Sequence, residues 1–431
     1  MGYPIIPGQR PSVLCVVVMQ LPLTFTFNPD DSQQYVIDML QQARRSFDLC
    51  SWWFEPTTAV GHTKIGQALE DAAHRGVRIR LLVPHNAFHP GQVQHLPSHP
   101  RIALTQVMPH GPRRSALLHA LSGLKTPASH GEYMLHQRFA LRDDEELFLC
   151  STDFTPAKQG CWEDNVPCAD GYLYAEYGVA CPATPEMVAH IHEHMVQEGK
   201  PDQCPATPYL VGNFMQESNI HRAYCELIAQ AQELIYLETQ WFNSHHWSHN
   251  DLFHHLATAM HRNPTLGAIL VTNLNPCGLN GYATMQAIAK LGTAGSLWYL
   301  RKQLGVAAER LVAVTIHSPD YECFTHNKLL IVDERHMIMG TNNIDNRSTR
   351  PGRNIELALR VEEHAEVKSF QRKIWTAHLR QAVNDLKSAE IWERYRAQVG
   401  WVRAYPAHTV FHDVAYPVLG FTVERLSKQF M

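Results

Sequence analysis

The sequence predicts an α/β protein made of two pseudo-symmetric α/β repeats, each a mixed β-sheet flanked by helices, that pack together to form one shared active site. Two observations predict it: an apolar helix–strand pattern that occurs twice, and histidine motifs 190 positions apart. The 431 residues are enough for two domains with buried cores. A content of 45% apolar and 18% charged residues is typical of a folded globular protein.

Each repeat is expected to begin with an amphipathic helix followed by a buried strand. In the first half, apolar residues recur at helical spacing over residues 36–47, and a strand-like run covers residues 49–54. The same pattern returns 188 positions later over residues 224–235, so that Trp53 matches Trp241 without a gap. The expected helix starts are Asp31 or Ser32 in the first half and Ser218 in the second.

A second helix and a second buried strand follow in each half. Residues 69–74 and 77–83 predict them in the first half, and residues 252–261 and 268–272 in the second. Alternating helices and strands indicate an α/β sheet in each half. The expected parts are therefore a first repeat (1–200), a linker (201–208), a second repeat (209–388) and a tail that packs on the second repeat (389–431).

Composition restricts the partners. The net charge of −4 gives no broad positive field, so no stable nucleic-acid partner is expected. No apolar stretch approaches the ~20 residues of a membrane span. We expect a soluble monomer that contacts membranes peripherally, and whether it is cytoplasmic or exported stays open. Residues 13–19 faintly resemble a signal sequence, but Pro22 and the lack of a cleavage site favour an N-terminal strand.

The ten cysteines include no C-x-x-C pair, so a thiolate zinc site or a redox motif is not expected. Most are expected to be reduced and buried, and a Cys161–Cys168 disulfide remains open if the protein is exported. His190 and His194 would share one helix face and could bind a metal, but a solvated helix face is the favoured interpretation. No metal and no cofactor is expected.

The residues that carry chemistry are most complete in the second half. His326, Lys328 and Asp333 form H-x-K-x-x-x-x-D, followed by Gly340-Thr341-Asn342-Asn343 and then by Glu356. Two positions apart on a predicted strand, His326 and Lys328 would point to the same face, and the turn before residues 340–343 would return Asn343 to it. A histidine, a cation and an amide together suit a phosphoryl group, because the polar groups bind its oxygens while imidazole attacks phosphorus.

The first half carries a related set. His136, Arg138 and Asp143 occupy the corresponding positions, followed by Cys150-Ser151-Thr152-Asp153 and by Trp162-Glu163-Asp164. Because matching chemistry recurs with matching apolar pattern, the sequence indicates an internal duplication.

These motifs resemble the signature of the phospholipase D superfamily, H-x-K-x-x-x-x-D followed by G-[S/T]-x-N. The run HNKLLIVDERHMIMGTNNIDNRS with its trailing Glu, and IYLETQWF at residues 235–242, are most similar to the lipid-acting eukaryotic-like and bacterial branch. The resemblance covers about residues 31–363. Two departures stand in the first half: Arg138 replaces the lysine of the motif, and Cys150 replaces a glycine.

The resemblance implies a phosphodiester exchange through a phosphohistidine. His136 would be the nucleophile, and His326 the general acid that then activates water or an acceptor alcohol. Arg138, Lys328 and Asn343 would stabilise charge on the phosphoryl oxygens. Glu356 would orient a histidine, with Tyr174 at the matching place in the first half. Asp143 and Asp333 complete the motifs, with turn anchoring as their expected role, and the candidate substrate contacts are Asp153, Trp53, Trp241 and Thr341.

The preferred function is that of a lipid phosphodiesterase or transphosphatidylase acting on a glycerophospholipid. A nuclease with the same machinery is an alternative, which the charge disfavours. The other alternative is a catalytically impaired, phospholipid-binding relative, for which Arg138 and Cys150 are the evidence.

Overall fold

The computed structural model of the protein describes residues 21–85, 92–108, 110–113, 131–133, 135–162, 164–167, 173–198, 202–203, 207–243, 252–274, 283–321 and 323–406. Two large mixed sheets, one in each half, are flanked by helices. This arrangement confirms the predicted fold class. The strand expected at residues 13–19 and the cysteine at position 168 lie outside the described residues.

The first half forms a sheet with the strand order β1-β12-β10-β9-β2-β5-β6. The strands of this half are β1 (Thr24–Thr26), β2 (Ser46–Cys50), β3 (Ala59–Val60), β4 (Thr63–Lys64), β5 (Arg78–Pro84), β6 (Ile102–Val107), β7 (His110–Arg113), β8 (Gly131–Tyr133), β9 (Phe139–Arg142), β10 (Glu146–Cys150), β11 (Leu173–Ala175) and β12 (Gly178–Pro182). Its helices are α1 (Pro29–Gln42), α2 (Ile65–His74), α3 (Pro185–Val196) and a 3₁₀ turn (Pro156–Lys158).

The second half forms a sheet with the order β13-β20-β19-β18-β14-β15-β16-β21. The strands are β13 (Leu210–Asn213), β14 (Leu234–Thr239), β15 (Gly267–Val271), β16 (Leu311–Ile316), β17 (Cys323–Thr325), β18 (Lys328–Val332), β19 (His336–Gly340), β20 (Glu356–Val361) and β21 (Val402–Ala404). The helices are α4 (Ile220–Gln230), α5 (Leu252–Arg262), α6 (Ala283–Leu304), a 3₁₀ segment (Gly305–Arg310), α7 (Asn346–Thr349), α8 (Ala365–Leu379) and α9 (Ser388–Arg396).

The two sheets have the same topology around the motif strands. In the first, β2 pairs parallel with β5 and antiparallel with β9, which continues antiparallel through β10 to β12. In the second, β14 pairs in the same way with β15 and β18, which continues through β19 to β20. The repeated strand order agrees with the duplication inferred from the sequence.

The two halves contribute to a common hydrophobic cluster, besides a cluster within each half. Strand β11 of the first half pairs parallel with β17 of the second, and a bridge joins Leu135 to Ile355. The largest buried cluster takes side chains from both halves, including Trp162 and Trp375. Burial of that apolar area stabilises the two repeats against each other, so they form one unit with a seam between the sheets.

Several expected boundaries are wrong by a few residues. Helix α1 begins at Pro29 after Asn28 rather than at Asp31 or Ser32, because proline fits the first helical position. Helix α4 follows Asn219 rather than Ser218. Strand β2 ends at Cys50, short of the predicted residue 54, and the chain turns away there.

His190 and His194 are buried rather than on a solvated helix face, at 5% and 1% exposure. Their rings lie edge-on to Phe214 and Phe139 respectively. Within the described ranges, no group of three or more metal-binding side chains occurs.

The end of the described chain packs on the second sheet. Helix α9 lies against β15 and β16, and β21 pairs antiparallel with β16. Among the described residues, no helix is both long and apolar enough to cross a bilayer.

Candidate active site

The two motif histidines lie at the seam between the halves. The backbone N–H of His136 donates to the carbonyl of Ile355, and that of His326 donates to the carbonyl of Ala175, each at 3.0 Å. Each histidine is thus tied to the strand end of the opposite half. The sequence predicted that His326 lies within a strand. In the structure it lies just before β18.

Each histidine ring binds a carboxylate of the opposite half. His136 Nδ1 lies 3.0 Å from both oxygens of Glu356. His326 Nδ1 lies 2.8 Å from Glu176 Oε1. Both carboxylates are fully buried. A carboxylate at Nδ1 fixes the ring and its tautomer, and leaves Nε2 for chemistry.

Glu176 is a candidate site residue that the sequence did not reveal. The proposed counterpart of Glu356 was Tyr174, two positions away, and this assignment is wrong. The signal was present in the run Glu176-Tyr177-Gly178, which matches Glu356-Leu357-Ala358 as a glutamate at, or two residues before, the start of a buried strand. The spacing between the glutamates is 180 rather than 190 positions, which hid the match.

Burial and nearby cations disfavour the charged form of both rings. Burial lowers the pKa of His136 well below its ordinary value, and Arg138 and Lys328 lower it further. Burial also lowers the pKa of His326 well below its ordinary value, and the charges of Lys158 and Lys328 lower it further. Burial raises the pKa of Glu356 to about 8.

The two motif cations occupy equivalent places. Arg138 Nη1 donates to the carbonyl of His136 at 3.2 Å, and Lys328 Nζ donates to that of His326 at 2.6 Å. Both are buried, at 2% and 1% exposure. Burial lowers the pKa of Lys328 well below its ordinary value. A bound anion would favour the charged form of this lysine.

The arginine in the first motif has a specific partner. Arg138 binds Asp153 with two hydrogen bonds, Nε to Oδ1 at 2.6 Å and Nη2 to Oδ2 at 3.0 Å. Burial alone would lower the pKa of Arg138, and the paired carboxylate more than offsets it. Asp153 therefore holds Arg138 rather than standing free for substrate. In the second half Asn343 takes the place of Asp153, and its buried Oδ1 has no hydrogen-bond partner among the described residues.

The cysteine at position 150 is compensated by the residue opposite. Cys150 pairs across the sheet with Gly178, whereas Gly340 pairs with Ala358. A Cβ on Gly340 would collide with backbone atoms of Leu357 and Ala358. In the first half the glycine of the pair is Gly178, on the strand opposite Cys150. The larger side chain of Cys150 is therefore accommodated at the end of β10.

The remaining predicted residues fall into two groups. Thr341 binds Glu356 through its hydroxyl at 2.7 Å, and so supports His136. Asp143 and Asp333 each accept three backbone N–H groups at the start of β2 or β14, away from the histidines; the donors are Arg44, Arg45 and Ser46 for the first and Gln232, Glu233 and Leu234 for the second.

The aromatic ring beside the site belongs to a neighbour of the predicted one. Trp52 lies edge-on to His136, with ring centroids 6.1 Å apart, and the guanidinium of Arg138 lies 5.9 Å from its ring. Trp53 contributes its backbone N–H to Asp153 at 3.2 Å. Trp241 is half-buried beyond the end of β14.

A second buried carboxylate braces the seam behind His326. Glu238 accepts from Asn327 Nδ2 at 2.8 Å and from the hydroxyl of Thr325. Asn327 Oδ1 in turn accepts the backbone N–H of Tyr177 at 2.8 Å. This chain of contacts fixes the link between β11 and β12, which carries Glu176, relative to the motif that carries His326.

Fold and site define an internally duplicated α/β protein with a paired-histidine centre. The sequence matches the family described as "Cardiolipin synthase, PLD-like domain" over residues 36–178 and 224–377, more than half of the chain. The chain belongs to the phospholipase D superfamily, whose members are phosphodiesterases and phosphotransferases.

Two curated relatives come from Arabidopsis thaliana. Phospholipase D zeta 2 is 27% identical over 211 residues, which cover 40% of this chain and 20% of the relative. Phospholipase D alpha 3 is 24% identical over 283 residues, which cover 47% of this chain and 34% of the relative. The matched segments thus span only 20% and 34% of the relatives' own length.

Among solved structures, a phosphatidylserine synthase from Haemophilus influenzae Rd KW20 is similar over 95% of both chains. The TM-score is 0.57 at 13% sequence identity. This likeness concerns the fold alone.

Proposed function

We propose that the protein is a phospholipase D-type phosphodiesterase and transphosphatidylase that hydrolyses or exchanges the head group of glycerophospholipids through a phosphohistidine intermediate. The observation that carries the proposal is the crossed pairing of His136 with Glu356 and of His326 with Glu176 at one seam. One ring attacks phosphorus, and the other donates a proton to the leaving alcohol.

The cations complete this chemistry. Lys328 and Arg138 flank the two rings, and both have hydrogen-bond donors beyond those used in their internal contacts. Fixed donors in a water-poor site stabilise charge that develops on phosphoryl oxygens. Asn343 would add its amide from the neighbouring turn.

A lipid substrate is favoured by the names of the relatives. Two are phospholipases D, and a protein of similar fold is a phosphatidylserine synthase. The net charge of −4 argues against a polyanionic partner such as nucleic acid. We propose peripheral contact with the membrane by a monomer, which vesicle flotation and sedimentation velocity would test.

The departures in the first motif do not argue for an impaired enzyme. Arg138 keeps its positive charge and is held by Asp153, and Cys150 is accommodated opposite Gly178. Both changes come with a compensating partner in the same half. Neither change therefore counts by itself against activity.

The test is an assay with mixed vesicles of phosphatidylcholine and phosphatidylethanolamine plus ethanol, read by mass spectrometry for phosphatidic acid and phosphatidylethanol. We expect both products from the native protein. His326→Asn and His136→Asn should each lower the rate by at least about 1,000-fold, and His62→Asn at an exposed position should not.

Failure to release either product from any phospholipid would contradict the lipid proposal. Nicking of plasmid DNA in chelator by the same preparation, lost in His326→Asn, would favour the nuclease alternative. Vesicle binding without any turnover would favour the impaired relative.

A further inference from the structure

The carboxylates behind the two histidines are held by different chemistry. Glu356 accepts from two neutral hydroxyls, Thr341 Oγ1 at 2.7 Å and Ser348 Oγ at 2.8 Å. Glu176 accepts from a cation, Lys158 Nζ at 2.9 Å. Its other oxygen, Oε2, is buried and has no hydrogen-bond partner in the part of the chain that the structure describes.

Lys158 stands where the duplication places Ser348. Asp153 and Asn343 are equivalent positions, and Lys158 and Ser348 each follow five residues later. Both reach the carboxylate that binds a histidine of the opposite half. Lys158 is only 8% exposed and lies 3.8 Å from the ring centroid of Tyr174. At the position of Lys158 and Ser348, the pseudo-symmetry is thus broken by one charge.

This charge decides which pair can hold an extra proton. With His326 neutral, the group of Lys158, Glu176 and His326 has no net charge, and protonation of the ring would leave a buried positive charge. The pair of His136 and Glu356 carries a buried negative charge that one proton removes. Because uncompensated charge is costly in a buried site, the proton resides on the pair of His136 and Glu356.

The hydrogen bonds of His326 lead to the same assignment. Its Nδ1 faces Glu176 Oε1 at 2.8 Å and the carbonyl oxygen of Ser151 at 3.0 Å. A carbonyl can only accept, so Nδ1 carries the hydrogen and the lone pair of a neutral ring lies on Nε2. When the pair of His136 and Glu356 holds its proton, His136 Nε2 carries a hydrogen that it can donate.

We propose that Lys158 makes His326 the nucleophile and leaves the proton for the departing alcohol on the pair of His136 and Glu356. This assignment rests on the proposed function and reverses the direction that the family resemblance implies. His326 Nε2 forms a bond to phosphorus, the bond from phosphorus to the alcohol oxygen breaks, and that oxygen takes its electron pair and the proton from His136 Nε2. Water or an acceptor alcohol then gives a proton to His136, its oxygen bonds to phosphorus, and the P–N electron pair returns to His326.

The other charges near the rings are consistent with this division. The groups that face His326, besides Glu176, are Lys158, Lys328, Arg138 and His136. Burial lowers the pKa of His326 most, and Lys158 lowers it further. His136 faces the same two motif cations and Arg347, but also the carboxylates of Asp153 and Glu356. Protonation is therefore more costly at His326.

The first experiment maps the covalent intermediate with a phosphatidyl ester of p-nitrophenol, a leaving group that departs without a proton. The native protein is quenched in alkali during turnover and its peptides are analysed by mass spectrometry. We expect the phosphatidyl adduct on His326. His136→Ala should still release one equivalent of p-nitrophenol and accumulate the adduct, because it lacks the base for the second step, whereas His326→Ala should release none.

An adduct on His136, or a burst from His326→Ala, would overturn the assignment while leaving the proposed function standing. Turnover without an adduct on His326 would also overturn it. Absence of turnover by the native protein on every phospholipid would instead remove the proposed function.

The second experiment tests Lys158 as a positioning residue. Lys158→Ser copies the second half, and Lys158→Arg keeps the charge. We expect the acidic limb of the pH profile of kcat/KM to move up by about one pH unit in Lys158→Ser, because His326 then keeps its proton to higher pH, and to stay in place in Lys158→Arg. A loss that is equal at every pH in Lys158→Ser would show a merely structural role and would reject this assignment.

Discussion

His136 and Glu356 are separated by 220 positions in the chain, yet the Nδ1 atom of His136 lies 3.0 Å from both carboxylate oxygens. The same crossed relationship joins His326 to Glu176. Each histidine depends for its orientation on the opposite half. Duplication alone therefore does not give two sites, because each repeat is incomplete without the other.

Glu356→Gln tests this dependence. The amide keeps the shape of the side chain but has no negative charge to orient and stabilise the ring of His136. We therefore expect phosphodiester turnover to fall at least about 100-fold. Thr341 and Ser348 donate to different oxygens of Glu356. In the variant one hydroxyl keeps its acceptor and the other can rotate to accept from the new amide, so the unfolding midpoint should change little. Turnover is measured by release of the alcohol product.

Glu393→Gln is the matched control, because Glu393 is exposed on α9. It should leave turnover unchanged. If Glu356→Gln also turned over at the native rate, the carboxylate would have no part in steadying His136.

Arg138→Lys restores the residue that the family motif has at this place. Lysine cannot make the two parallel hydrogen bonds that Arg138 makes to Asp153. We expect no gain in turnover and a loss of about 1–3 kcal/mol in the free energy of unfolding, because an oxygen of Asp153 is left buried and unsatisfied. Denaturant unfolding and the vesicle assay measure the two effects.

The combination of Arg138→Lys with Cys150→Gly separates the alternatives. An increase in turnover in this double variant would indicate that the native first motif is impaired. The same lysine substitution at Arg394, which lies on α9, serves as the control for stability.

Residues that sit at a constant offset in both halves could be predicted from the sequence. His136 and His326, and likewise Arg138 and Lys328, recur 190 positions apart at or just before the start of β9 and β18, whose apolar pattern also recurs. Their meeting at one seam follows from the pairing of two equivalent sheets. The packing across that seam could not be predicted from the sequence, because Glu176 contacts His326 of the other half as well as Lys158 of its own repeat.

Burial of the histidines on α3 could not be predicted for a related reason. His190 and His194 read as polar positions on a helix before a linker. Their surroundings are Phe214 and Phe139, which come from β13–α4 and β9, distant in the chain. The solvent exposure of a helix face depends on what packs over it, and local pattern does not contain this information.

Gly340→Ala tests whether each of the two cross-strand pairs, Gly340 with Ala358 and Cys150 with Gly178, needs one glycine. The added Cβ would collide with Leu357 and Ala358, and we expect a loss of about 2–3 kcal/mol in the free energy of unfolding. Ala358→Gly in the same chain should recover part of the loss, since it copies the opposition of Cys150 and Gly178. Thermal and denaturant unfolding report both. If the second substitution only added to the first, the two positions would not compensate each other.

The buried histidines of α3 make stability sensitive to acid. Burial lowers the pKa of His190 from 6.5 to about 4, and lowers the pKa of His194 well below 6.5. The unfolded chain therefore takes up protons that the folded chain refuses as pH falls from 6.5 to 4. The free energy of unfolding therefore falls as pH drops across this window, by about 3 kcal/mol from His190 alone.

His190→Leu removes this proton uptake. We expect the free energy of unfolding of the variant to change between pH 6.5 and pH 4 by about 3 kcal/mol less than that of the native protein, as measured by denaturant unfolding at several pH values. The same substitution at the exposed His62 is the control. A native-like pH dependence in His190→Leu would mean that His190 accepts a proton in the folded state as readily as in the unfolded chain, and so that water reaches it within α3.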